Sequence, residues 1–263
     1  MNRLIQESTY RSPGTRPLFL RQKMPSLFFY SRVLWIVMAA AHLARRGLYT
    51  GAEWEKSSLA VVNALESVGG GITIENSKNL LQLETPCVFI ANHMSVLEAF
   101  VLPSLIRPIR PVTFVVKDSL ISYPVFRYVM VSRDPIVVGR SNARQDLKTV
   151  MKEGKQRLDN NISLIIFPQT TRNYGFDSSK FNSLGVKLAK RNNVPAVPIA
   201  LKTDAWSMGK RFKDLGEIRP ERMVRIRFGD PFRIEGNGRE EHGRVVEFIR
   251  TALQDWDLLG PIK

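Results

Sequence analysis

The sequence predicts an α/β fold: a mixed, largely parallel central sheet flanked by helices, with a helical hairpin ahead of it. Three observations predict it. From Ile72 onward, short apolar or β-branched runs alternate with helical stretches, the pattern of strands joined by crossover helices. The length of 263 residues, 44% hydrophobic and 24% charged, is enough for a full core without disulfide or metal staples. Ahead of Ile72 stand two helical stretches that close at Gly69-Gly70-Gly71. These proportions exclude wholesale disorder, a collagen-like fibre and a polytopic membrane protein.

Residues 1–23 carry Arg3, Arg11, Arg16, Arg21 and Lys23 against Glu7 alone, with Pro13, Gly14 and Pro17 and no periodicity. They read as a loosely ordered basic arm, without the apolar core of a signal peptide. Residues 24–71 read as a membrane-associating helical hairpin. Its first stretch, 27–44, has an arginine-free run at 33–43 that still includes His42, short of the roughly 20 apolar residues that cross a bilayer. Phe28, Phe29, Tyr30 and Trp35 stand near Arg32, Arg45 and Arg46, a mixture suited to the headgroup region. The second stretch is 53–68. The alternative for both is ordinary core packing.

Residues 72–263 form the α/β domain. Strands are expected at 87–91, 112–116, 163–167, 196–201 and 224–228, and helices near 96–106, 142–159, 181–192 and 239–257. No GxGxxG or GxxxxGK[ST] is present, so neither a dinucleotide nor a P-loop site is supported.

The charge is 39 basic minus 24 acidic residues, +15 at neutral pH. Such a chain associates with an anionic partner: nucleic acid, an acidic membrane surface or a phosphate-bearing ligand. No nucleic-acid module accompanies the charge, so nucleic acid is the least favoured. The single cysteine and three histidines offer no metal-ligand spacing, and no metal is expected. Cys87 reads as a buried apolar residue, His42 as a packed or interfacial one, and His242 as solvated.

Two segments hold residues fit for chemistry. Asn92-His93-Met94-Ser95-Val96-Leu97-Glu98 follows an expected strand and opens a helix. The carboxyl ends of strands are where α/β folds place reactive groups. There His93 can act as general base, with Glu98 holding its tautomer. Alternatively, Ser95 and Glu98 form a capping box and His93 is a loop residue; both readings can hold in part. Phe167-Pro168-Gln169-Thr170-Thr171-Arg172 follows another strand. Its hydroxyls, amide and guanidinium make a polar, cationic patch where Arg172 can hold a phosphate.

Together these segments resemble the NHxSxxD and FPEGTR blocks of glycerolipid acyltransferases, the 1-acylglycerol-3-phosphate O-acyltransferase-like group of the lysophospholipid acyltransferase superfamily. Pro135 to Arg140 resembles the intervening GxIFIDR block, and Val194 to Ile199 the later VPIVPV block. All four stand in the family's order. The hairpin resembles the membrane-docking pair of some bacterial members. The resemblance implies acyl transfer from acyl-CoA or acyl-carrier protein to a hydroxyl of lysophosphatidate or a related lysolipid, in phospholipid biosynthesis.

It implies His93 as general base and Glu98 as its orienting acid. Arg140, Arg172, Gln169, Thr170, Thr171, Asn92, Ser95 and Lys117 would line the substrate site, with Arg133 a runner-up to Arg140. No cofactor beyond the acyl co-substrate is implied. The partners are membrane lipids and the acyl carrier, and the place is the cytoplasmic face of the membrane, peripheral or monotopic. Four positions depart from the pattern: Glu98 replaces Asp, Gln169 replaces Glu, Thr170 replaces Gly and Gly139 replaces Asp. They motivate the alternative of a catalytically altered lipid-binding protein on the same fold.

Overall fold

The computed structural model describes residues 3–5, 7–14, 17–139, 141–169 and 171–257. Within these residues eight strands form one sheet: β1 (Thr9–Arg11), β2 (Ile72–Glu75), β3 (Val88–Ala91), β4 (Val112–Lys117), β5 (Ile136–Val138), β6 (Ser163–Ile166), β7 (Ala196–Lys202) and β8 (Val224–Phe228). Their spatial order is β1-β2-β8-β7-β3-β6-β4-β5. The five strands from β7 to β5 run parallel; β8 is antiparallel to β7, and β1 to β2. The expected mixed, largely parallel sheet is therefore present. Parallel strands put the residues that follow β3, β4, β6 and β7 on one sheet edge, where the segments singled out in the sequence stand.

Among the described residues, eight α-helices surround the sheet: α1 (Phe19–Lys23), α2 (Pro25–Arg45), α3 (Gly51–Ser67), α4 (Leu97–Ile106), α5 (Phe126–Val131), α6 (Ala143–Asp159), α7 (Leu184–Arg191) and α8 (Arg239–Asp255). The strand side-chain period of two divides the core into two layers. Phe89 and Ala91 face the layer of α2, α3 and α4, and Val88 and Ile90 face that of α6, α7 and α8. With both faces covered, β3 is 0–1% exposed throughout, which is why its sequence reads as a continuous apolar run. A Cβ on Gly185 would lie 2.7 Å from Ile90 Cγ1, so glycine lets α7 approach β3 this closely.

Local chemistry sets the helix starts. Pro25 begins α2, where a missing N–H costs nothing. Thr50 caps α3 through Glu53 N, and the Asn142 side chain accepts from Arg144 N and Gln145 N to cap α6.

The hairpin of α2 and α3 is present, but α2 runs 21 residues, longer than the sequence suggested, and is long and apolar enough to cross a membrane by length and composition. One side buries Phe29, Val33, Ala40 and Ala41, while Leu27, Leu34, Trp35 and Met38 are exposed.

The expected loose arm is a correction. Leu4 and Ile5 are buried, and β1 adds an edge strand to β2. Tyr10 and Ser12 hydroxyls donate to Glu66 Oε1 at 3.0 and 2.7 Å, which fixes that strand against α3. The basic count of the arm hid these anchors. The short strand β5 and helix α5 were also not expected from the sequence pattern.

Candidate active site

His93 follows β3 and stands on the shared carboxyl edge of the parallel strands. Its Nδ1 lies 2.7 Å from Glu98 Oε2. The His93 side chain is 19% exposed and that of Glu98 is fully buried. The other carboxylate oxygen of Glu98 accepts from Met94 N at 2.7 Å, Ser95 N at 2.8 Å and the Thr203 hydroxyl at 2.7 Å. Ser95 Oγ accepts from Leu97 N at 3.1 Å. The acid–imidazole pair is therefore present together with half of the capping box: one Glu98 oxygen meets the imidazole and the other takes Ser95 N, while the Ser95 hydroxyl takes Leu97 N rather than Glu98 N. A carboxylate with one oxygen satisfied by three donors is fixed in position, and it fixes the imidazole in turn. With Nδ1 taken by Glu98, Nε2 is the nitrogen available for proton exchange at the edge.

The loop after β6 encloses His93 from the side. Gln169 Oε1 accepts from His93 N at 2.6 Å, and Asn173 N donates to His93 O at 3.0 Å. The Phe167 ring stacks on the imidazole with centroids 4.4 Å apart. Gln169 is thus buried and holds backbone. Asn92 is likewise turned into the fold: its side chain donates to Leu201 O and accepts from Leu201 N, both at 2.8 Å. Ser95 Oγ donates to Thr203 Oγ1 at 3.0 Å. Asn92, Ser95 and Gln169 hold this sheet edge together through these bonds.

Lys117 ends β4 on the same edge and is exposed, as is Thr171. Arg172 reaches across to Asp214 and forms an ion pair through Nη2 and Oδ1. Arg140 and Thr170 lie outside the described residues. Arg133 is held elsewhere: its Nη2 donates to Tyr49 O and its guanidinium lies over the Tyr49 and Trp54 rings, fastening the hairpin to the domain.

Sequence reasoning missed two residues. Thr203 joins Ser95 to Glu98 from 108 residues away, and Asp214 engages Arg172 from another loop. Only the neighbouring of β7 with β3 could have exposed Thr203. Cys87 is buried, and burial pushes its thiol up to about 12, so it is no nucleophile. His242, expected to be solvated, instead stacks on Phe181. Burial there lowers its pKa, because the charged imidazole loses water. A cationic groove of about 770 Å³ between α6 and α7, lined by Lys148, Lys152, Lys155, Lys187 and Arg191, holds none of the motif residues.

The edge thus presents a buried acid, an oriented imidazole with one accessible nitrogen, and a guanidinium on the adjacent loop. That set can deprotonate a hydroxyl beside an anionic group. A family model described as Acyltransferase matches residues 71–202. The 1-acyl-sn-glycerol-3-phosphate acyltransferase of Pseudomonas aeruginosa is 28% identical over 173 residues, 66% of this chain and 63% of that protein. The protein of that name from Cocos nucifera is 27% identical over 190 residues, 72% of this chain and 58% of that protein. The chain therefore spans under two thirds of the length of these relatives. The crystal structure of the 1-acyl-sn-glycerophosphate acyltransferase from Thermotoga maritima has the same fold, with a TM-score of 0.70, 17% identity, and coverage of 92% of this chain and 99% of that one.

Proposed function

The chain belongs to the acyltransferase family, and we propose that it moves a fatty acyl group from an acyl thioester to the hydroxyl of a lysophospholipid-like acceptor, lysophosphatidate or a related lysolipid, in phospholipid synthesis. The observation that carries this is the His93–Glu98 contact of 2.7 Å at the sheet edge. His93 Nε2 removes the acceptor proton as the oxygen attacks the thioester carbonyl. The tetrahedral intermediate expels the thiolate, and the imidazolium returns the proton to sulfur. Glu98 stabilises that transient cation and keeps the tautomer. The whole exchange is acid–base chemistry on one histidine. The donor is acyl-CoA or acyl-carrier protein, both anionic and so suited to a chain of +15. Arg172, with Thr171 and Lys117 on the same edge, receives the acceptor phosphate. The proposed role of Arg140 and Thr170 there rests on the sequence blocks alone.

The site works at the cytoplasmic face of a membrane. In support, α2 exposes Leu34, Trp35 and Met38 outward while its other side packs on the domain. Ties near both ends, Tyr30 Oη to Gly216 O at 2.5 Å and Arg45 over the Tyr128 ring, favour a helix lying in the bilayer surface. The departure at Glu98 leaves the imidazole–acid contact in place: one oxygen lies 2.7 Å from His93 Nδ1 while the other is held by three donors.

The test is a thioester-consumption assay over a lysolipid panel. Parent protein should release free thiol only with a phosphate-bearing acceptor, and His93→Ala should abolish release while keeping its fold and vesicle association. Full turnover by His93→Ala would refute the mechanism.

A further inference from the structure

We propose that the loop 209–216 is a second bilayer-contacting element, which inserts Phe212 and Leu215 among anionic lipids and thereby frees Arg172 from Asp214. The insertion stands on the loop itself; the consequence for Arg172 rests on the acyltransferase reading above.

Phe212 and Leu215 are 70% and 60% exposed, an unusual placement for large apolar side chains on one short loop. Around them Lys210, Arg211 and Lys213 are also exposed. Three cations less Asp214 leave the tip at +2. Apolar side chains ringed by cations fit a surface where phosphates meet the charges and acyl chains receive the rings. The loop is tied to the N-terminal helices, which expose Phe19, Leu20, Met24 and Leu27. Tyr30 Oη donates to Gly216 O and Ile218 N to Ser26 Oγ, at 2.5 and 2.9 Å. At its base, Trp206 packs edge-on against Phe29 and Tyr30 of α2. The two apolar elements are therefore fastened into one surface, which selects a bilayer as its occupant.

The base of the loop is firm and its tip reaches the site. Ser207 N donates to Glu217 O at 3.0 Å, and Trp206 Nε1 donates to Asp214 O at 3.0 Å. The Asp214 carboxylate accepts from Arg172 through one oxygen and from Tyr123 Oη through the other, the latter at 3.0 Å. A phosphate arriving at Arg172 must displace this carboxylate. Asp214 lies between Lys213 and Leu215, so insertion of the tip pulls on the residue that occupies the guanidinium. A bilayer that binds the inserted state better shifts the population toward free Arg172.

The experiment reads the loop without needing catalysis. Cys87 is fully buried, so Phe212→Cys can be labelled selectively with an environment-sensitive fluorophore. Emission should shift to the blue with vesicles of phosphatidylglycerol and phosphatidylcholine. Unchanged emission while the protein sediments with those vesicles overturns insertion. Phe212→Ser combined with Leu215→Ser should lower transfer to vesicle-borne lysophosphatidate about tenfold, leaving transfer to a monomeric short-chain acceptor unchanged. An equal fall on both acceptors overturns the proposal. Asp214→Asn should raise the rate on the monomeric acceptor and narrow its gap from the vesicle-borne one; no rise overturns the coupling. Absence of any transfer by the parent protein overturns the acyltransferase reading and the coupling with it, while the fluorophore still decides insertion.

Discussion

The Thr203 hydroxyl donates to Glu98 Oε1 at 2.7 Å and accepts from Ser95 Oγ at 3.0 Å, joining the end of β7 to the first turn of α4. The hydroxyls of Ser95 and Thr203 thus form a relay running from Leu97 N to the carboxylate. Such a chain strengthens each bond in it. Thr203→Val keeps the shape and removes the donor, leaving a buried carboxylate less held. Losing one buried hydrogen bond costs about 1–3 kcal/mol. Steady-state kinetics should show kcat lowered by about ten- to hundredfold if that cost falls on the reacting geometry. Thr203→Ser, which retains the hydroxyl, should restore it. A Thr203→Val variant with parental kcat would make the relay purely structural.

Glu98 divides its two oxygens between the imidazole and the helix cap, which makes it intolerant of an amide. In Glu98→Gln, either the three donors on Oε1 or the imidazole N–H must face an NH2 group. A mis-set tautomer in a histidine–acid pair costs on the order of 10⁴ in kcat, and a loss of that order is expected. Glu98→Asp shortens the reach by about 1.5 Å, so it cannot hold His93 and both amides together. Its loss should be smaller than that of Glu98→Gln, because one set of contacts survives. Rates of Glu98→Asp below those of Glu98→Gln would contradict the division of roles.

The five-residue step from His93 to Glu98 was legible because both lie in one turn beyond one strand, and local spacing fixes such pairs. The five principal strands were legible for a similar reason: buried on both faces, they carry unbroken apolar runs. What the sequence concealed depends on strand order. Asn92 clasps Leu201 and Ser95 meets Thr203 only because β7 lies beside β3, and Gln169 reaches His93 N only because β6 lies on its other side. Polar residues in a motif then look substrate-facing when their bonds go inward. The strand β1 was hidden by length; three residues hold no periodicity to read, and its anchor, Glu66, is on another element.

Arg133 lends its cation to the hairpin. Its guanidinium donates to Tyr49 O and lies 5.0 Å from the Tyr49 ring centroid and 5.7 Å from that of Trp54. A charged hydrogen bond contributes about 1.5–3 kcal/mol and each cation–π contact about 0.5–1 kcal/mol. Arg133→Met keeps the stem packing and also removes the cost of burying the guanidinium, so it should destabilise the fold by about 1–3 kcal/mol, less than these contacts summed. Thermal unfolding should show this, with kcat on a soluble acceptor close to the parent. A large loss of kcat without a change in melting would instead give Arg133 a place in the site.

His242 gives the fold an acid-side weakness. Burial against Phe181, with the Lys187 charge nearby, holds its imidazole below the ordinary 6.5. The unfolded chain takes up this proton near the ordinary value, while the folded chain resists until lower pH. Stability is therefore complete above about 6.5 and declines as pH falls through the folded value, because the unfolded state binds the extra proton first. His242→Gln removes that proton and can still bond the Phe181 backbone. Its melting temperature should match the parent's at about pH 8 and fall less than the parent's by about pH 5, where imidazole in an unfolded chain is charged. The carboxylates titrate alike in both proteins, so the difference between the two curves isolates the histidine. Parallel curves over that range would mean that His242 carries no penalty for its charge.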